Sequence, residues 1–523
     1  MIEKHYISSE EPENLSGGRR RFLISGLAAA AGALVGEKGA FAQSSSKTLR
    51  YGLSAYPPNI QPFQYAGQAA ATVKLQIYRG LLTYSAEGTI IPEIAESYSL
   101  QGDRTYVFKL RPGVKFSNGS PLTSADVKFS LEQMAAPDST AYLINEMRGI
   151  ESIDASDPMV VKITLKKPTP AFPDTLARPD APIVSPKFKD PLLGQPLGAG
   201  PFILEAMDRG VSLTFKKNPY YYRPGLPKVA SMRFVVYADE TLRVAAVQSG
   251  DVDIIEYVPW QDLKRLKSNP NVRVETNEGA FMYLCFNCST APFNDPRVRA
   301  AIAHAVKRED VVKGAFFGQG SPFDGLPIQK TSQFYDPSLQ HLWPYDPDQA
   351  AKLLQEAKVT GQKINLLATS TYAMHRDIAQ IVQQYLGAVG FDVQLSLPDW
   401  GTRVSLGNQG RYQLAVNGGG LDGLDPDGLT SLIGSGPASY RRSFGFKSAV
   451  VDQLLAQGRQ EVDPAKRKQI YDAVQRQAAK DVPVSTLAYR VEAFAYTPAV
   501  KGFKSLPGNL DLYTAVTLQN TTV

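Results

Sequence analysis

The stretch VNGGGLDGLDPDG, residues 416–428, holds residue types that often bind ions, phosphates or small polar molecules. Gly418, Gly420 and Gly423 have the G-x-G-x-x-G spacing of a dinucleotide-binding turn, but the glycines, aspartates and proline that follow prevent the helix this motif opens. A calcium loop starting at Asp422 would put leucine and isoleucine at ligand positions 3 and 12. What remains is a strand end whose exposed backbone can approach a ligand, with Asp422 beside it.

Catalytic motifs are missing elsewhere in the sequence. None of its four histidines has another histidine or a glutamate at the spacing of a helical metal site. The sequence contains no G-x-S-x-G nucleophile turn and no G-x-x-x-x-G-K-[ST] phosphate loop. We therefore expect no enzyme activity, no metal and no cofactor. A hydrolase or isomerase is the alternative, and it would need a nucleophile paired with a base.

The two cysteines, Cys285 and Cys288, form a C-x-x-C pattern in a predicted strand over 283–287. Three steps along a strand cover about 10 Å and end on opposite faces. A disulfide needs Cα atoms within about 7 Å. We expect two free, buried thiols rather than a redox pair or a metal site.

The N-terminus has the pattern of an export signal. Arg19, Arg20 and Arg21 precede a short apolar stretch, and an A-x-A end closes at Ala42. The arginines resemble a twin-arginine signal, although Gly18 replaces its usual serine or threonine. We predict cleavage near Ala42 and a periplasmic protein, without lipid attachment because no cysteine follows. The alternative is a basic tail on a core helix.

Length and charge exclude other classes. A chain of 523 residues is longer than one hydrophobic core normally supports, so two or three domains are expected. The net charge of +6 is mild, and no block of more than three Lys or Arg occurs, so nucleic acid is not an expected partner. No second stretch is apolar over 18 residues, so no membrane span is expected after the signal.

The elements around the glycine run alternate as in an α/β domain. Strands at 364–368, 392–397 and 413–417 and a helix at 377–389 predict a partly parallel sheet, with the glycines at a carboxyl end. The whole order predicts two α/β bodies with a β-rich insert. Further strands are predicted at 49–53, 106–110, 160–165, 212–216 and 230–237, and further helices at 70–80, 125–134, 241–249, 348–358, 449–457 and 464–479.

Several segments together resemble the family 5 extracellular solute-binding proteins of ABC importers, the peptide, nickel and opine group. The most diagnostic is residues 94–134, and the others are GAGPF (198–202), NPYYYRPG (218–225), VQSGDVD (247–253), FNDPRVRAAIAHAVKRE (293–309) and YDPDQAAKLLQEA (345–357). The resemblance covers nearly all of residues 48–510. It implies an α/β fold like that of periplasmic binding proteins, with two lobes, a hinge and a third subdomain inserted in the first lobe.

The resemblance also implies the domain order and the partners. After the signal peptide at 1–42, the first lobe is expected at 43–280, with the inserted subdomain at about 84–195. The second lobe is expected at 281–488, and residues 489–523 return to the first. Such a protein closes on a small-molecule ligand and delivers it, as a monomer, to membrane permease and ATPase subunits. Docking of a chemoreceptor is compatible with this.

The family's loop usually reads G-W-x-x-D, and here Gly419 replaces the tryptophan. Asp422 falls on the aspartate that peptide binders use for the ligand's amino group. We expect Asn417, Gly418, Gly419 and Gly420 to offer backbone N–H groups to the ligand, although a simple tight turn is the alternative. The peptide binders' arginine has no clear match at 370–374. A peptide-like, opine-like or sugar-phosphate ligand is therefore expected, with a plain oligopeptide or an oligosaccharide as alternatives.

Aromatic residues complete the predicted site. Tyr56 follows the first strand, Trp260 precedes the crossing between lobes, and Trp400 falls where the family places a pocket aromatic. Arg403 follows Trp400 by one turn, and Tyr283 lies on the strand that contains Cys285. Aromatic rings provide apolar contact and stack on sugar or peptide faces. Each of them is equally compatible with a core position.

Overall fold

The computed structural model describes residues 48–64, 67–187, 196–330, 332–421, 423–436 and 438–523. The chain divides into two units. Met1–Ser45 lies outside the described ranges, and Ser46–Val523 carries the fold reported below. The predicted signal peptide and Asp422 therefore fall outside the described residues.

Strands occur along the whole described chain. They are β1 (Thr48–Leu53), β2 (Leu82–Tyr84), β3 (Ile90–Pro92), β4 (Ala95–Gln101), β5 (Thr105–Leu110), β6 (Ile150–Asp157), β7 (Val160–Leu165), β8 (Phe202–Asp208), β9 (Ser212–Lys217), β10 (Ser231–Val236), β11 (Ile254–Ile255), β12 (Arg273–Phe286), β13 (Gly320–Pro322), β14 (Lys363–Leu367), β15 (Asp392–Ser396), β16 (Leu414–Gly419) and β17 (Val484–Tyr496).

Helices alternate with these strands. They are α1 (Gln68–Ile77), α2 (Ser124–Ala135), α3 (Ile144–Met147), α4 (Phe172–Ala177), α5 (Glu240–Ser249), α6 (Trp260–Lys267), α7 (Pro296–Ala305), α8 (Arg308–Ala315), α9 (Pro347–Glu356), α10 (Ala373–Ala388), α11 (Trp400–Asn408), α12 (Leu429–Ile433), α13 (Ala449–Gln460) and α14 (Pro464–Asp481). Short 3-10 segments are Pro337–Leu339, Pro426–Gly428 and Gly508–Asn520.

Three helices begin with the dipeptide Asp-Pro, and the side chains show why. Asp295, Asp346 and Asp463 each accept a hydrogen bond from a backbone N–H in the first turn of α7, α9 and α14. The proline that follows needs no N–H partner and has its φ angle already set for the helix. The sequence therefore fixes the starts of these helices locally.

One mixed sheet runs through the molecule, in the order β15-β14-β16-β12-β17-β11-β1-β10-β9-β8, with β13 also paired to β17. The strand β1 is parallel to β10 and β11, and β14 is parallel to β15 and β16. The strand β12 is antiparallel to both β16 and β17. The sequence predicted two α/β bodies, and the structure joins their sheets through β12 and β17.

The strands β12 and β17 are the longest, with 14 and 13 residues, and they pair over most of their length. Their register shifts between Glu278 and Phe281 and again between Met282 and Tyr283. Such bulges bend a strand pair. Gly279 lies inside the first shift, where an added Cβ would be 2.1 Å from the Gly508 carbonyl oxygen. Only glycine fits where the chain bends between the two halves of the sheet.

Hydrophobic cores lie on both sides of this bend. One side is built from residues between Leu49 and Val272 together with the chain from Ala493 onward. The other is built from residues between Phe281 and Ala488. We call these sides the first and second lobes. The predicted boundaries at 280 and 488 fall within β12 and β17.

A separate four-stranded sheet, β4-β5-β7-β6, belongs to the first lobe and carries α2. The helix starts with a capping box, in which the Thr123 amide donates to Asp126 Oδ2 at 2.8 Å. This sheet is the β-rich insert expected from the sequence. Its edge strands β4 and β6 were not predicted, because most of their residues are polar and exposed.

Candidate functional site

The carboxyl ends of β14, β15 and β16 meet at one edge of the second lobe. The segments after them are tied together, since Thr369 Oγ1 donates to the Pro398 carbonyl at 2.9 Å and the Trp400 amide donates to Thr371 Oγ1 at 3.0 Å. Gly419 ends β16 at the same edge. In open α/β sheets ligands bind at such an edge.

Trp400 begins α11 and lies among aromatic rings from two other segments. Its ring centroid is 5.3 Å from that of Tyr372 and 5.8 Å from those of His375 and Tyr440. The interplanar angles of 71°, 67° and 87° are edge-to-face contacts, which aromatic pairs favour. Asp399 caps the helix by accepting from the Thr402 amide. The indole of Trp400, which was predicted to line the site, is therefore held in a defined orientation.

Arg403 is fully buried beside the end of β16. Its Nη2 donates to the Val416 carbonyl at 2.7 Å and to Asn417 Oδ1 at 2.6 Å. Its Nε and Nη1 have no hydrogen-bond partner among the described residues, and burial lowers its pKa. The Asn417 side chain also donates to the Tyr440 carbonyl and to Cys285 Sγ. Arg403 and Asn417 thus contact each other, and the side-chain amide of Asn417 is engaged inside the lobe.

Both cysteines are free thiols as predicted, but only Cys285 is buried, whereas Cys288 lies beyond the end of β12 and is half-buried. Burial raises the pKa of Cys285 to about 12 and that of Cys288 to about 11. Since the thiolate is the reactive form, both side chains act as small apolar groups at neutral pH.

His375 lies on α10 against the glycine run. Burial, followed by the charges of Arg403 and Arg490, lowers its pKa to about 3, so the imidazole is neutral. A Cβ on Gly418 would lie 2.5 Å from Met282 Sδ and 3.7 Å from His375 Nε2. Within the described ranges Nδ1 has no hydrogen-bond partner. His375 was not predicted as a site residue, because its sequence neighbours show no metal-ligand spacing and no other motif.

A buried ion cluster, Arg490, Glu492 and Asp511, lies where β17 passes between the lobes. Arg490 Nε is 2.9 Å from Glu492 Oε1, and its Nη1 is 3.3 Å from Met374 Sδ. Asp511 is 2% exposed, and its Oδ2 accepts no hydrogen bond from the part of the chain described. Burial, followed by the charge of Glu492, raises the pKa of Asp511 well above its usual range. No sequence motif marked these residues.

Tyr257, from the first lobe, lies beside the ion cluster. Its hydroxyl interacts electrostatically with Arg490, Glu492 and Asp511. Its φ of 49° is left-handed, and a bulky residue keeps such a conformation only when its surroundings impose it. Arg243 holds this turn by donating to the carbonyls of Glu256 and Tyr257. The Glu256 carboxylate is itself satisfied by the amide and hydroxyl of Ser54 and by the hydroxyl of Tyr51.

The glycine run differs from expectation in its backbone. The strand was predicted to end at Asn417, but β16 continues, with Gly418 paired to Met282 and Gly419 paired to Phe281. An antiparallel ladder uses the N–H and C=O of alternate residues. Part of the backbone expected to face a ligand is therefore bonded within the sheet, because the glycines extend the pairing instead of turning away.

The space beside the glycines is uneven. A Cβ on Gly419 would have Arg441 Nη2, at 3.9 Å, as its nearest neighbour among the described residues outside the adjoining chain. A Cβ on Gly420 would lie 3.0 Å from Asn509 Oδ1, which belongs to the first lobe. Arg441 Nη2 donates to the Gly420 carbonyl at 2.8 Å, and the Tyr283 hydroxyl donates to the Arg441 carbonyl at 2.8 Å. Tyr283 thus supports the glycine run indirectly, through Arg441.

Tyr56 and Trp260 contact other parts of the molecule. Tyr56 packs on the first-lobe core, and the nearby charges of Arg209 and Asp208 act on its hydroxyl. Trp260 Nε1 donates to the Val491 carbonyl at 2.7 Å, and its ring lies 5.0 Å from that of Phe316. The structure brings the other described candidates together, namely Trp400, Arg403, Asn417, Gly418, Gly419, Gly420 and Tyr283.

Two general features concern ions and membranes. In the described ranges, no group of three or more His, Cys, Asp or Glu side chains is placed to hold a metal ion. The same residues include no helix that is both long and apolar enough to span a bilayer.

Comparison with known proteins agrees with this architecture. Residues 89–441 match the family described as bacterial extracellular solute-binding proteins, family 5 Middle. The glutathione-binding protein GsiB of Escherichia coli strain K12 is 30% identical over 466 residues, covering 86% of this chain and 90% of its own. Relatives of this kind bind solutes, and no hydrolase is among the relatives described here.

Solved structures give the same result. The binding protein AgaA of A. tumefaciens R10, in complex with agropinic acid, superposes with a TM-score of 0.82 at 36% identity, covering 91% of this chain and 99% of its own. DppA of Helicobacter pylori, in complex with the peptide STSA, shares the fold with a TM-score of 0.79 at 23% identity, covering 91% and 98%. The predicted two-lobed α/β fold is confirmed. The chain belongs to family 5 of the bacterial extracellular solute-binding proteins, which bind small ligands and work with the permease and ATPase subunits of ABC importers.

Proposed function

We propose that the protein captures a small amino-acid-derived solute, an opine or a short peptide, between its lobes and delivers it for import. One observation carries this proposal: buried polar atoms of both kinds lack partners around the site within the described ranges. Asp511 Oδ2 and Asn509 Oδ1 are acceptors, and Arg403 Nε and Nη1 are donors. Buried polar groups are normally satisfied. A solute carrying both an amino group and a carboxylate supplies both kinds of partner.

The relatives support the same ligand class. AgaA is described in complex with agropinic acid, and GsiB is described as glutathione-binding. In this proposal Asp422 and the ion cluster hold the ligand's donors. Trp400 forms an apolar wall, and the open side of Gly419 receives the ligand's larger substituent. The proposed lobes are residues 43–280 and 281–488, with 489–523 returning to the first.

A sugar-phosphate ligand is a second candidate, favoured by the glycine run. Gly419 leaves space where a side chain would stand, and glycine N–H groups not used by the sheet can bind a phosphate. A plain oligopeptide and an oligosaccharide also fit a cleft of this kind. The distinction is whether the ligand carries an amino group.

Binding measurements distinguish these candidates. Native mass spectrometry of protein isolated from its producing cells would identify any retained ligand. Calorimetry with agropinic acid, glutathione, the peptide Ser-Thr-Ser-Ala and glucose 6-phosphate would follow. We expect at least one amino-acid-derived probe to bind. Binding of glucose 6-phosphate alone would reject the proposal in favour of the second candidate.

A matched pair of variants tests the ion cluster with the probe that binds. Asp511→Asn removes a carboxyl group that can ionise against a ligand's ammonium group, and Asp126→Asn makes the same change at the cap of α2. Loss of a charge-assisted contact costs about 1.5–3 kcal/mol, or roughly ten- to a hundredfold in Kd. We expect that loss only in Asp511→Asn. Equal affinity in both variants would remove the ion cluster from the site.

We also propose that the protein acts in the periplasm, after cleavage near Ala42, and performs no covalent chemistry. The family is extracellular, and its members described here are binding proteins. Incubation with each bound probe, followed by mass spectrometry of the small molecule, should return it unchanged. A new product formed in proportion to protein would indicate the hydrolase or isomerase alternative.

A further inference from the structure

A contact between the lobes lies directly after the glycine run. Asp174, on α4 of the first lobe, is 7% exposed. Its Oδ2 accepts from the Leu424 amide at 3.0 Å and from the Asp425 amide at 3.5 Å. Its Oδ1 accepts from the Tyr84 hydroxyl at 2.9 Å. A carboxylate of one lobe therefore binds the backbone of the other.

The loop is shaped for this contact. Gly423 has a φ of +83°, a conformation that favours glycine, and an added Cβ would lie 1.9 Å from Asp174 Oδ2. The side chain of Leu424 packs against the first-lobe core. A substituted residue at 423 would be strained and would collide with the carboxylate. The sequence thus leaves room for Asp174 at this point.

The second lobe fixes the same loop from the other side. Asp425 forms a bidentate ion pair with Arg467 of α14, with N···O distances of 2.7 and 2.6 Å. Arg467 also donates to the Gly458 carbonyl at 2.7 Å. The loop is therefore anchored to the second lobe, so separation of the lobes breaks its contact with Asp174.

We propose that Asp174 is a positioning residue that holds Gly423, Leu424 and Asp425 against the first lobe and so couples closure of the lobes to retention of the ligand. The coupling to a ligand rests on the proposed function, whereas the contact itself does not. Two residues, Leu421 and Asp422, separate the glycines at the site from the segment that Asp174 binds. Any motion that releases this segment also shifts the site.

The charge on Asp174 gives the contact a pH dependence. Burial raises its pKa from the usual 3.8 to about 6. The charge of Asp425 adds to this increase, while the hydrogen bonds from Tyr84 and Leu424 and the charge of Arg178 oppose it. A raised pKa favours the protonated form in the closed arrangement. Closure therefore takes up a proton between about pH 4 and 6, and it becomes weaker as the pH rises through 6.

Two variants separate the hydrogen-bond acceptor from the charge. Asp174→Asn keeps an oxygen for the two amides and removes the cost of burying a charge. Asp174→Ala removes both. Asp126→Ala is the matched control, because this aspartate also accepts a backbone N–H in the first lobe but makes that bond within one lobe.

Hydrogen exchange at the Leu424 and Asp425 amides tests the contact without any ligand. A hydrogen bond to a charged group contributes about 1.5–3 kcal/mol, so we expect exchange roughly ten- to a hundredfold faster in Asp174→Ala. We expect wild-type rates in Asp126→Ala and nearly wild-type rates in Asp174→Asn. X-ray scattering should show a larger radius of gyration only in Asp174→Ala. Unchanged exchange in Asp174→Ala, or equal exchange in the Ala and Asn variants, would overturn the proposal.

Two further measurements complete the test. Gly423→Ala disturbs the same contact from the loop side, because its Cβ would collide with the Asp174 carboxylate. It should also speed exchange at these amides, and it provides a test if Asp174→Ala fails to fold. With agropinic acid as the probe, wild-type release should become faster from pH 5 to 7, by up to about tenfold if the whole pKa shift arises on closure. Release from Asp174→Asn should vary less than wild-type release over this range. Equal pH dependence in both proteins would also contradict the proposal, whereas absence of binding would count only against the proposed ligand.

Discussion

Gly419 is the glycine whose open side receives the ligand's larger substituent in the proposed function. The resemblance to the family predicts tryptophan here, and an added Cβ would point into open space, with Arg441 Nη2 as its nearest described neighbour at 3.9 Å. The neighbouring glycines differ, because Gly418 lies against Met282 and His375 and Gly420 lies against Asn509. Of these three glycines, only the middle one has open space beside it among the described residues.

Refilling this space should block binding. We expect Gly419→Trp to remain folded, because the position is not in a core, and to lose affinity for the probe that binds the wild type. Gly387→Trp is the control, since that exposed glycine of α10 has no described neighbour within 4 Å of an added Cβ. Calorimetry with both variants checks the expectation. A Gly419→Trp variant with full affinity would leave the glycines as a turn.

Asp511 should affect stability in the direction opposite to its effect on binding. Burial, followed by Glu492, raises the pKa of Asp511 above 3.8, so its contribution to stability is complete below its unfolded pKa and is lost as the pH rises through the folded pKa. Asp511→Asn removes that loss. Calorimetric unfolding should give the variant a higher Tm than wild type at pH 8 and a similar Tm near pH 3. A lower Tm at pH 8 would contradict this sign.

The residues of the site were only partly predictable. Trp400, Arg403 and Asn417 follow a recognisable strand or motif, and the structure groups them. His375 and the ion cluster were missed, because their partners come from distant parts of the chain. Arg490 and Glu492 are two residues apart on β17, a spacing shared by all neighbours on one face of a strand. No local sequence pattern predicts that Asp511 will lie beside them.

Among the secondary-structure elements, the sequence predicted the helices and strands that have clear hydrophobic periodicity and clear capping residues. The helices at α2, α5, α9 and α14 and the strands β5, β7 and β14 lie within a few residues of expectation. The first half of β12 was missed because it alternates charged and polar residues that are half-buried between the lobes. The helix α11 was not predicted, because its nine residues include two glycines and a threonine, which are weak helix formers.

The bend in β12 gives a prediction for the unfolding free energy. Gly279→Ala would put a Cβ 2.1 Å from the Gly508 carbonyl oxygen, and such overpacking costs about 1–3 kcal/mol. Gly387→Ala makes the same change in an open helical position and should stabilise by about 0.5–1 kcal/mol. Urea denaturation of both variants measures the two signs. A neutral Gly279→Ala would mean that β12 and the Gly508 segment can move apart easily.

Export of the whole protein depends on its N-terminal segment. The arginines that resemble a twin-arginine signal predict export of a folded protein. Replacing Arg19 and Arg20 with lysine keeps the charge, and we expect the precursor to accumulate in the cytoplasm. Fractionation and immunoblotting measure this. Mature protein at normal yield in the periplasm would show that another export route is used.

The position of β17 in the central sheet also determines when the chain can fold during synthesis. This strand begins at Val484, yet it pairs with β11, β12 and β13, which are made much earlier. A nascent chain that ends before Val484 exposes unpaired strand edges in both halves of its sheet, and such edges bind other strands. Folding on the ribosome cannot finish lobe by lobe, so we expect prematurely released chains to aggregate instead of accumulating as a folded first lobe.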